Sequence, residues 1–283
     1  MAIVGLIGAG HMGSGLGWAL RAGGHEVVTS LAGRSARTAR LVEAAGLRVV
    51  ARPADVLAES GVVLVVTPPG AAVDAAREIA ALASSVTARP LVADMNAVSP
   101  ATAAASAQVI TAAGFGFVDG SISGPPPTVR PGATLYLSGP RAAEVADLRW
   151  THARPVVVGD RIGAASAVKM STASVYKGLM GLMAQAVRSA AAHGVLDPVM
   201  QDLGTSFGTP YEIALASTKA HRYVAEMREI AQSQAMTGLT PALFEAFAEV
   251  WSDVADHPLA AGNPESVPRD ITAHQVADGL SQT

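Results

Sequence analysis

A lysine set in an apolar stretch, "GAASAVKMSTASVYKG", is the residue of this chain best suited to moving a proton. Lys169 is flanked by Ala, Val and Met. Burial among such neighbours disfavours the charged amine and draws its pKa towards neutrality, where it serves as general acid and base. Helical spacing puts Thr172, Ala173 and Tyr176 on the same face. Tyr176 is a second candidate proton donor, and Lys177 points away from that face. The competing reading is a lysine that snorkels to the surface along its aliphatic stem. Cysteine is absent, which excludes thiolate catalysis, disulfides and Cys-built zinc sites. The histidines, at 11, 25, 152, 193, 221, 257 and 274, show no i, i+4 pair, so no metal is expected.

A second constellation lies at the start of the chain. Gly8-Ala9-Gly10-His11-Met12-Gly13 follows an apolar run and leads into a helical pattern, with another β-like run ending at Ser30. In that setting Gly8 allows the tight turn, Gly10 the approach of a pyrophosphate, and Gly13 the close packing of helix on strand. The phosphates then meet the N–H groups of the helix N-terminus at Gly10, His11, Met12 and Gly13. An acid about twenty residues on would bind the adenosine ribose hydroxyls and repel a 2′-phosphate. Here the chain reads "SLAGRSAR" instead. Ser30, Arg34, Ser35 and Arg37 make a cationic, hydroxyl-rich pocket suited to a phosphate, so NADP(H) is favoured over NAD(H). The alternative is a solvated basic start to the next helix.

These residues need a scaffold. Up to about residue 160, apolar runs ("AIVGLI", "HEVVTS", "LRVV", "VVLVVT", "PLVADM", "FGFVDG", "ATLYLSG", "RPVVVG") alternate with Ala-, Leu- and Arg-rich helical segments. That alternation predicts an α/β fold, a Rossmann-type doubly wound parallel sheet covered on both faces, over 1–160. From 161 to 283 helical patterns dominate, which predicts an all-α C-terminal domain that begins with a long helix ending near Gly194. The last stretch, "DITAHQVADGLSQT", is short and polar enough to fray. At the carboxyl ends of the strands, Thr67, Pro68 and Asn96 are candidate cofactor contacts, although Pro and Asn also favour ordinary turns.

Composition narrows the partners. Half of the 283 residues are hydrophobic, aromatics make up 4%, and the net charge is −3, which gives no reason to expect nucleic acid or an anionic membrane. The longest apolar stretch is interrupted by Lys169, Lys177, Gln185 and Arg188, so no membrane span is expected. No signal peptide is visible, and a cytoplasmic protein is the default expectation. A small helical domain rich in Ala, Leu and Met cannot bury its apolar surface alone, which predicts a homodimer.

On "GLIGAGHMGSGLGWAL", "VVTPPG", "FVDGSISGPP" and the Lys169 helix, the chain resembles the β-hydroxyacid dehydrogenase and 6-phosphogluconate dehydrogenase-like superfamily. That group includes 3-hydroxyisobutyrate dehydrogenases and, more distantly, imine reductases. The last eighty or so residues resemble a helical domain from a poorly characterised branch of it. The resemblance implies that Lys169 is the catalytic lysine and that Thr67, Pro68 and Asn96 face the nicotinamide and its ribose. It also implies that a partner's helices complete each active site. The family's stretch Asp-x-Pro-Val-Ser-Gly-Gly corresponds to Asp119–Pro125, which implies that Ser123 and Gly124 hold a substrate carboxylate. Ser121 and Pro125 depart from the pattern, and Pro125 has no N–H to donate. Thr172 keeps a hydroxyl where the family usually has Asn nearby. The substrate implied is a small β-hydroxy acid, β-keto acid or related carbonyl compound.

Two rival functions stand beside this one. Prolines in the 125–127 loop also occur in imine reductases, which favours C=N reduction, although that group usually has Asp or Tyr in place of Lys169. A non-catalytic NADP(H)-binding sensor is the other. Met227, Gln232 and Met236 are further pocket candidates, with helix core as their plainer role.

Overall fold

The structure, a computed structural model, describes residues 1–281. It forms two compact units, Met1–Lys169 and the residues from Met170 onward. The first holds eight strands: β1 (Ile3–Ile7), β2 (Glu26–Ser30), β3 (Arg48–Val50), β4 (Val62–Val65), β5 (Leu91–Asp94), β6 (Gly116–Ser123), β7 (Ala133–Ser138) and β8 (Ala153–Gly159). Each grows from one of the predicted apolar runs. They form one sheet in the order β3-β2-β1-β4-β5-β6-β7-β8. The order reverses between β1 and β4, the crevice where doubly wound sheets take their ligands.

Helices cover both faces, because side chains alternate along every strand. Along β4, Leu64 packs with Leu16 and Leu20 of α1 (His11–Ala22) and Val42 of α2 (Ala36–Ala44). Its neighbours Val63 and Val65 turn to the other face, towards Leu57 of α3 (Pro53–Glu59), Ile79 of α4 (Ala72–Ala81) and Ile110 of α5 (Pro100–Ala112). A short α6 (Ala142–Ala146) adds Val145 to the first core.

The sheet is not parallel throughout. β7 runs antiparallel to β6 and parallel to β8. Residues 124–132 are too few for the crossover that a parallel pair requires, so the chain turns straight back as a hairpin.

Helix α7 (Ala164–Ala192) begins directly after the sheet, and the remainder is helical: α8 (Leu196–Leu203), α9 (Pro210–Ser217), α10 (Ala220–Met236), α11 (Ala242–Ala255) and α12 (Ala273–Gly279). The turn after α7 has Gly194 at φ +69°, as its predicted cap role requires. Two glycines of α7 let α11 approach: a Cβ on Gly181 would lie 3.0 Å from the Phe247 ring. Trp251 is fully buried and meets Tyr223 edge-on at 5.1 Å.

The C-terminal stretch forms α12 where fraying is expected from its composition. Thr272 and Gln275 make a capping box, and Val276, Ala277 and Leu280 are buried. Residues 282 and 283 of that stretch lie outside the described residues. Lys177 also lies in the interior. It is buried, ion-paired with the buried Glu226, and its ammonium lies 4.6 Å from the centre of the Tyr223 ring. Among the described residues no helix is long and apolar enough to cross a membrane.

Candidate functional site

The glycine turn sits at the switch point. Gly8 has φ +88°, and a Cβ there would lie 2.1 Å from the Val66 carbonyl oxygen at the end of β4. A Cβ on Gly13 would lie 2.1 Å from the carbonyl oxygen of Gly8, so α1 presses directly on the turn. Gly10 is different: its Cβ position faces open space. As N-cap of α1 it offers no side chain, and the first helical turn, which includes His11 and Met12, has no acid. Within α1 itself, neither a capping side chain nor a first-turn carboxylate competes for the amide dipoles there.

Across the crevice the ends of β4 and β5 are tied together. The backbone N–H of Thr67 donates to Asn96 Oδ1 at 2.6 Å, and the N–H of Asn96 donates to Asp94 Oδ1 at 3.0 Å. Asn96 is 2% exposed, yet its Nδ2 and the Thr67 hydroxyl have no hydrogen-bond partner among the described residues. Unpartnered buried polar atoms are uncommon and costly. Pro68, next in the chain, leads into the short 3-10 turn at Pro69–Ala71. Burial pushes the Asp94 carboxyl up to about 7; the Asn96 N–H opposes this and the neighbouring Asp119 carboxylate adds to it.

Strand β6 fixes the start of α7. The buried Asp119 accepts from the N–H groups of Gly163 and Ser166 at 3.0 and 3.1 Å, both on Oδ2. The Ser138 hydroxyl also donates to Oδ2, at 2.9 Å, and the Ser166 hydroxyl donates to Oδ1 at 2.6 Å. Two residues along β6, the Ser121 hydroxyl donates to the Ala165 carbonyl at 2.8 Å. One residue further, the Ile122 carbonyl accepts from Lys169 Nζ at 2.7 Å. Lys169 is thus half-buried and held by the residue that precedes Ser123. Gly124 has φ +113° and a Cβ on it would lie 2.7 Å from the Gly132 carbonyl, so only glycine fits the turn.

The prolines that follow lean on α1: a Cβ on its Gly15 would lie 3.1 Å from both Pro126 and Pro127. His152 Nδ1 lies 3.0 Å from the Pro127 carbonyl, which can only accept, so that nitrogen carries the proton.

Sequence reasoning missed the part played by Asp119. It appears there only within the substrate-binding stretch, whereas it serves as the external cap of α7. The available signal was a helix start, "DRIGAAS", with Gly163 where a capping side chain belongs.

Residues 3–156 match the family described as the NAD-binding domain of 6-phosphogluconate dehydrogenase. The chain belongs to this family. On that membership it is an NAD(P)-dependent oxidoreductase of the dehydrogenase and reductase type. Residues 190–254 match a domain of unknown function, DUF1932. No curated protein matches the chain.

Solved structures resemble it along nearly its whole length. MTH1747, a conserved protein of unknown function described as structurally similar to 3-hydroxyacid dehydrogenases, is 27% identical over 90% of this chain and 97% of its own, with a TM-score of 0.65. The 3-hydroxyisobutyrate dehydrogenase of Mycobacterium tuberculosis is 19% identical over 100% of both chains, with a TM-score of 0.68. An imine reductase of Streptomyces aurantiacus is 23% identical over 94% of this chain and 98% of its own, with a TM-score of 0.55. The latter two likenesses concern the fold.

The 6-phosphogluconate dehydrogenase-type domain fits a dinucleotide on its own geometry. The open side of Gly10, with the Asn96 and Thr67 groups that lack partners among the described residues, leaves room and hydrogen-bonding capacity for a dinucleotide. The end of β2 is more engaged than its sequence suggests. Ser30 Oγ donates to the Ala51 carbonyl at 3.3 Å, and Ser35 Oγ caps α2 through the N–H of Thr38. Arg34 and Arg37 are exposed beside them.

Two candidate residues belong to the second unit. Thr172 and Tyr176 are both exposed on α7. Partial burial, with Glu212 and Tyr211 adding, raises the Tyr176 phenol above its ordinary pKa, so it stays protonated but gives up its proton less readily. Of the further pocket candidates, Met227 is core, whereas Gln232 and Met236 are exposed.

Proposed function

We propose that this chain moves a hydride between NADP(H) and a small β-hydroxy acid, β-keto acid or related carbonyl compound, with Lys169 as general acid and base. The bound nicotinamide supplies or accepts the hydride at the substrate carbon. The chain's own part is to bind, orient and move the proton. Gly8, Gly10, His11, Met12 and Gly13 cradle the pyrophosphate, while Thr67, Pro68 and Asn96 line the nicotinamide side. Ser123 and Gly124 receive the acid group of the substrate and Thr172 contributes its hydroxyl. The Lys169 ammonium gives its proton to the carbonyl oxygen in reduction and takes it back in oxidation, and Tyr176 is the secondary donor.

The observation that carries this reading is the Lys169–Ile122 hydrogen bond, 2.7 Å, which sets the amine beside Ser123 and Gly124. A homodimer goes with it, supported by the exposed Val175, Leu182, Leu239 and Leu243 of the helical unit. A cytoplasmic setting is in keeping with the cofactor. Imine reduction is the second reading, favoured by the triple proline that leans on α1. Following NADPH oxidation with β-keto acids, aldehydes and cyclic imines tests the choice. Turnover of a keto acid supports the first reading; turnover of imines alone overturns it in favour of the second.

Cofactor choice follows from Arg34 and Arg37. Charge-assisted hydrogen bonds to a 2′-phosphate contribute about 1.5–3 kcal/mol each, so Arg34→Ala with Arg37→Ala weakens NADPH at least about tenfold. NADH, lacking that phosphate, is expected to change little. Equal losses for the two cofactors, measured by fluorescence titration, would remove the 2′-phosphate assignment.

A further inference from the structure

Asp94 is a buried carboxyl that neither the reaction as described nor, among the described residues, an ion pair engages. Asp94 ends β5 in register with Val65 on β4 and Asp119 on β6. Partners in a parallel ladder point to the same face, so the two carboxyl groups stand side by side. Their surroundings differ. Asp119 takes four donors from the start of α7 and from Ser138. Asp94 takes the Asn96 N–H and borders a cavity of about 10 Å³ walled by Val65, Ala76, Ile79, Val92, Ile110 and Phe117. None of these wall residues, which come from β4, β5, β6, α4 and α5, is titratable, so Asp119 is the charged neighbour that matters.

We propose that Asp94 is a positioning residue for the nicotinamide side of the cofactor site: held as the uncharged acid it fixes the Asn96 turn, and its ionisation loosens that turn. The physical route is short. Asn96 receives its backbone constraint from Asp94 and passes it to Thr67 through its own carbonyl. That pair holds in place the Asn96 amide and the Thr67 hydroxyl, neither of which has a close hydrogen-bond partner among the described residues. A negative charge at Asp94 would lie in an apolar cavity next to a second carboxylate, and it relieves that cost by drawing in water or swinging out. Either movement releases the Asn96 N–H. The inference rests on the reading of Thr67 and Asn96 as cofactor contacts.

The sign of the pH effect follows from burial. The folded state keeps the Asp94 proton up to about 7, whereas the unfolded chain releases it near 3.8. The associated stability is fully present below the unfolded value and is lost as pH rises through the folded one. NADPH affinity follows the same course at its upper end.

The test is NADPH binding to the full chain from about pH 5.5 to about 8.5, for wild type, Asp94→Asn, Asp94→Ala and Asn96→Ala. Wild type should lose about fivefold or more in affinity across pH 7, while Asp94→Asn, which keeps the acceptor and cannot ionise, loses less than about twofold. Ionisation of the NADPH phosphate itself is common to both and cancels in their ratio. Asp94→Ala and Asn96→Ala should bind about tenfold more weakly at every pH. If Asn96→Ala is weakened but Asp94→Asn follows the wild-type curve, the Asp94 proposal falls alone. If Asn96→Ala binds as tightly as wild type, the contact reading falls, and the proposal with it. A merely structural Asp94 would shift the melting temperature of its variants and leave the affinity ratio of wild type to Asp94→Asn constant with pH.

Discussion

Replacing Lys169 with alanine is expected to lower kcat by about 10²- to 10⁴-fold while NADPH binding changes less than about threefold, since a positioned general acid contributes rate rather than cofactor affinity. The expectation comes from where the amine is held. One hydrogen bond of the amine goes to the Ile122 carbonyl, one residue from Ser123, whereas the glycine turn and the Thr67–Asn96 hydrogen bond are made by other groups. The variant should also fold. The side chain is half-buried, and each side-chain hydrogen bond it gives up contributes about 1 kcal/mol net. Arginine does not substitute for it, because a guanidinium stays charged and cannot act as a base near neutral pH. Single-turnover kinetics with NADPH and an accepted keto acid give the check. If kcat falls less than about fivefold, Lys169 is not the proton donor. Tyr176 would then be the next candidate, although its raised pKa makes it a poorer acid.

Much of this scaffold is legible from residue order alone. Continuous Val, Ile and Leu runs such as "VVLVV" have no polar alternative in a sheet covered on both faces, and each became a strand. The direction of β7 is a different matter. A strand's composition carries no sign, and only the shortness of residues 124–132 forces the return. The helix α12 is hidden for another reason. Its buried stripe is just Val276, Ala277 and Leu280, too short for periodicity to register, although the Thr272–Gln275 capping box is visible in the sequence.

The candidate site divides along the same line. The Gly8, Gly10 and Gly13 geometry follows from local chain sterics, so the motif's spacing is enough to anticipate it. Contacts that join distant segments are not readable in this way. Glu226 meets Lys177 from another helix, and Asp119 meets Ser166 from a strand 47 positions earlier. Nothing local marks such carboxylates as partners. They surface only as acids set in otherwise apolar runs, which is also the single mark that Asp94 carries in "PLVADM".

Asp119 carries the second large effect. Asp119→Ala strands four buried donors at once: the N–H groups of Gly163 and Ser166 and the hydroxyls of Ser138 and Ser166. Each unsatisfied donor costs about 1–3 kcal/mol, with part recovered as the hydroxyls rotate, so a loss on the order of 3–5 kcal/mol is expected. The helix dipole adds to the effect, because the carboxylate faces the amino end of α7, where negative charge is favourable. Asp119→Asn separates the two contributions. Its remaining oxygen can still accept the two backbone N–H groups, and its amide can donate to the Ser166 oxygen, so about half the stability returns while the charge does not. Function should follow the cap. Lys169 lies one helical turn beyond Ser166, and a start of α7 that frays lets the amine leave Ile122. Folded Asp119→Asn should therefore have a lower kcat at unchanged NADPH affinity, with denaturant melts giving the stability ranking wild type, then Asn, then Ala. A melt in which Asp119→Ala matches wild type would mean that α7 is held from elsewhere. Lys169 would then owe its position to contacts other than the Asp119 cap.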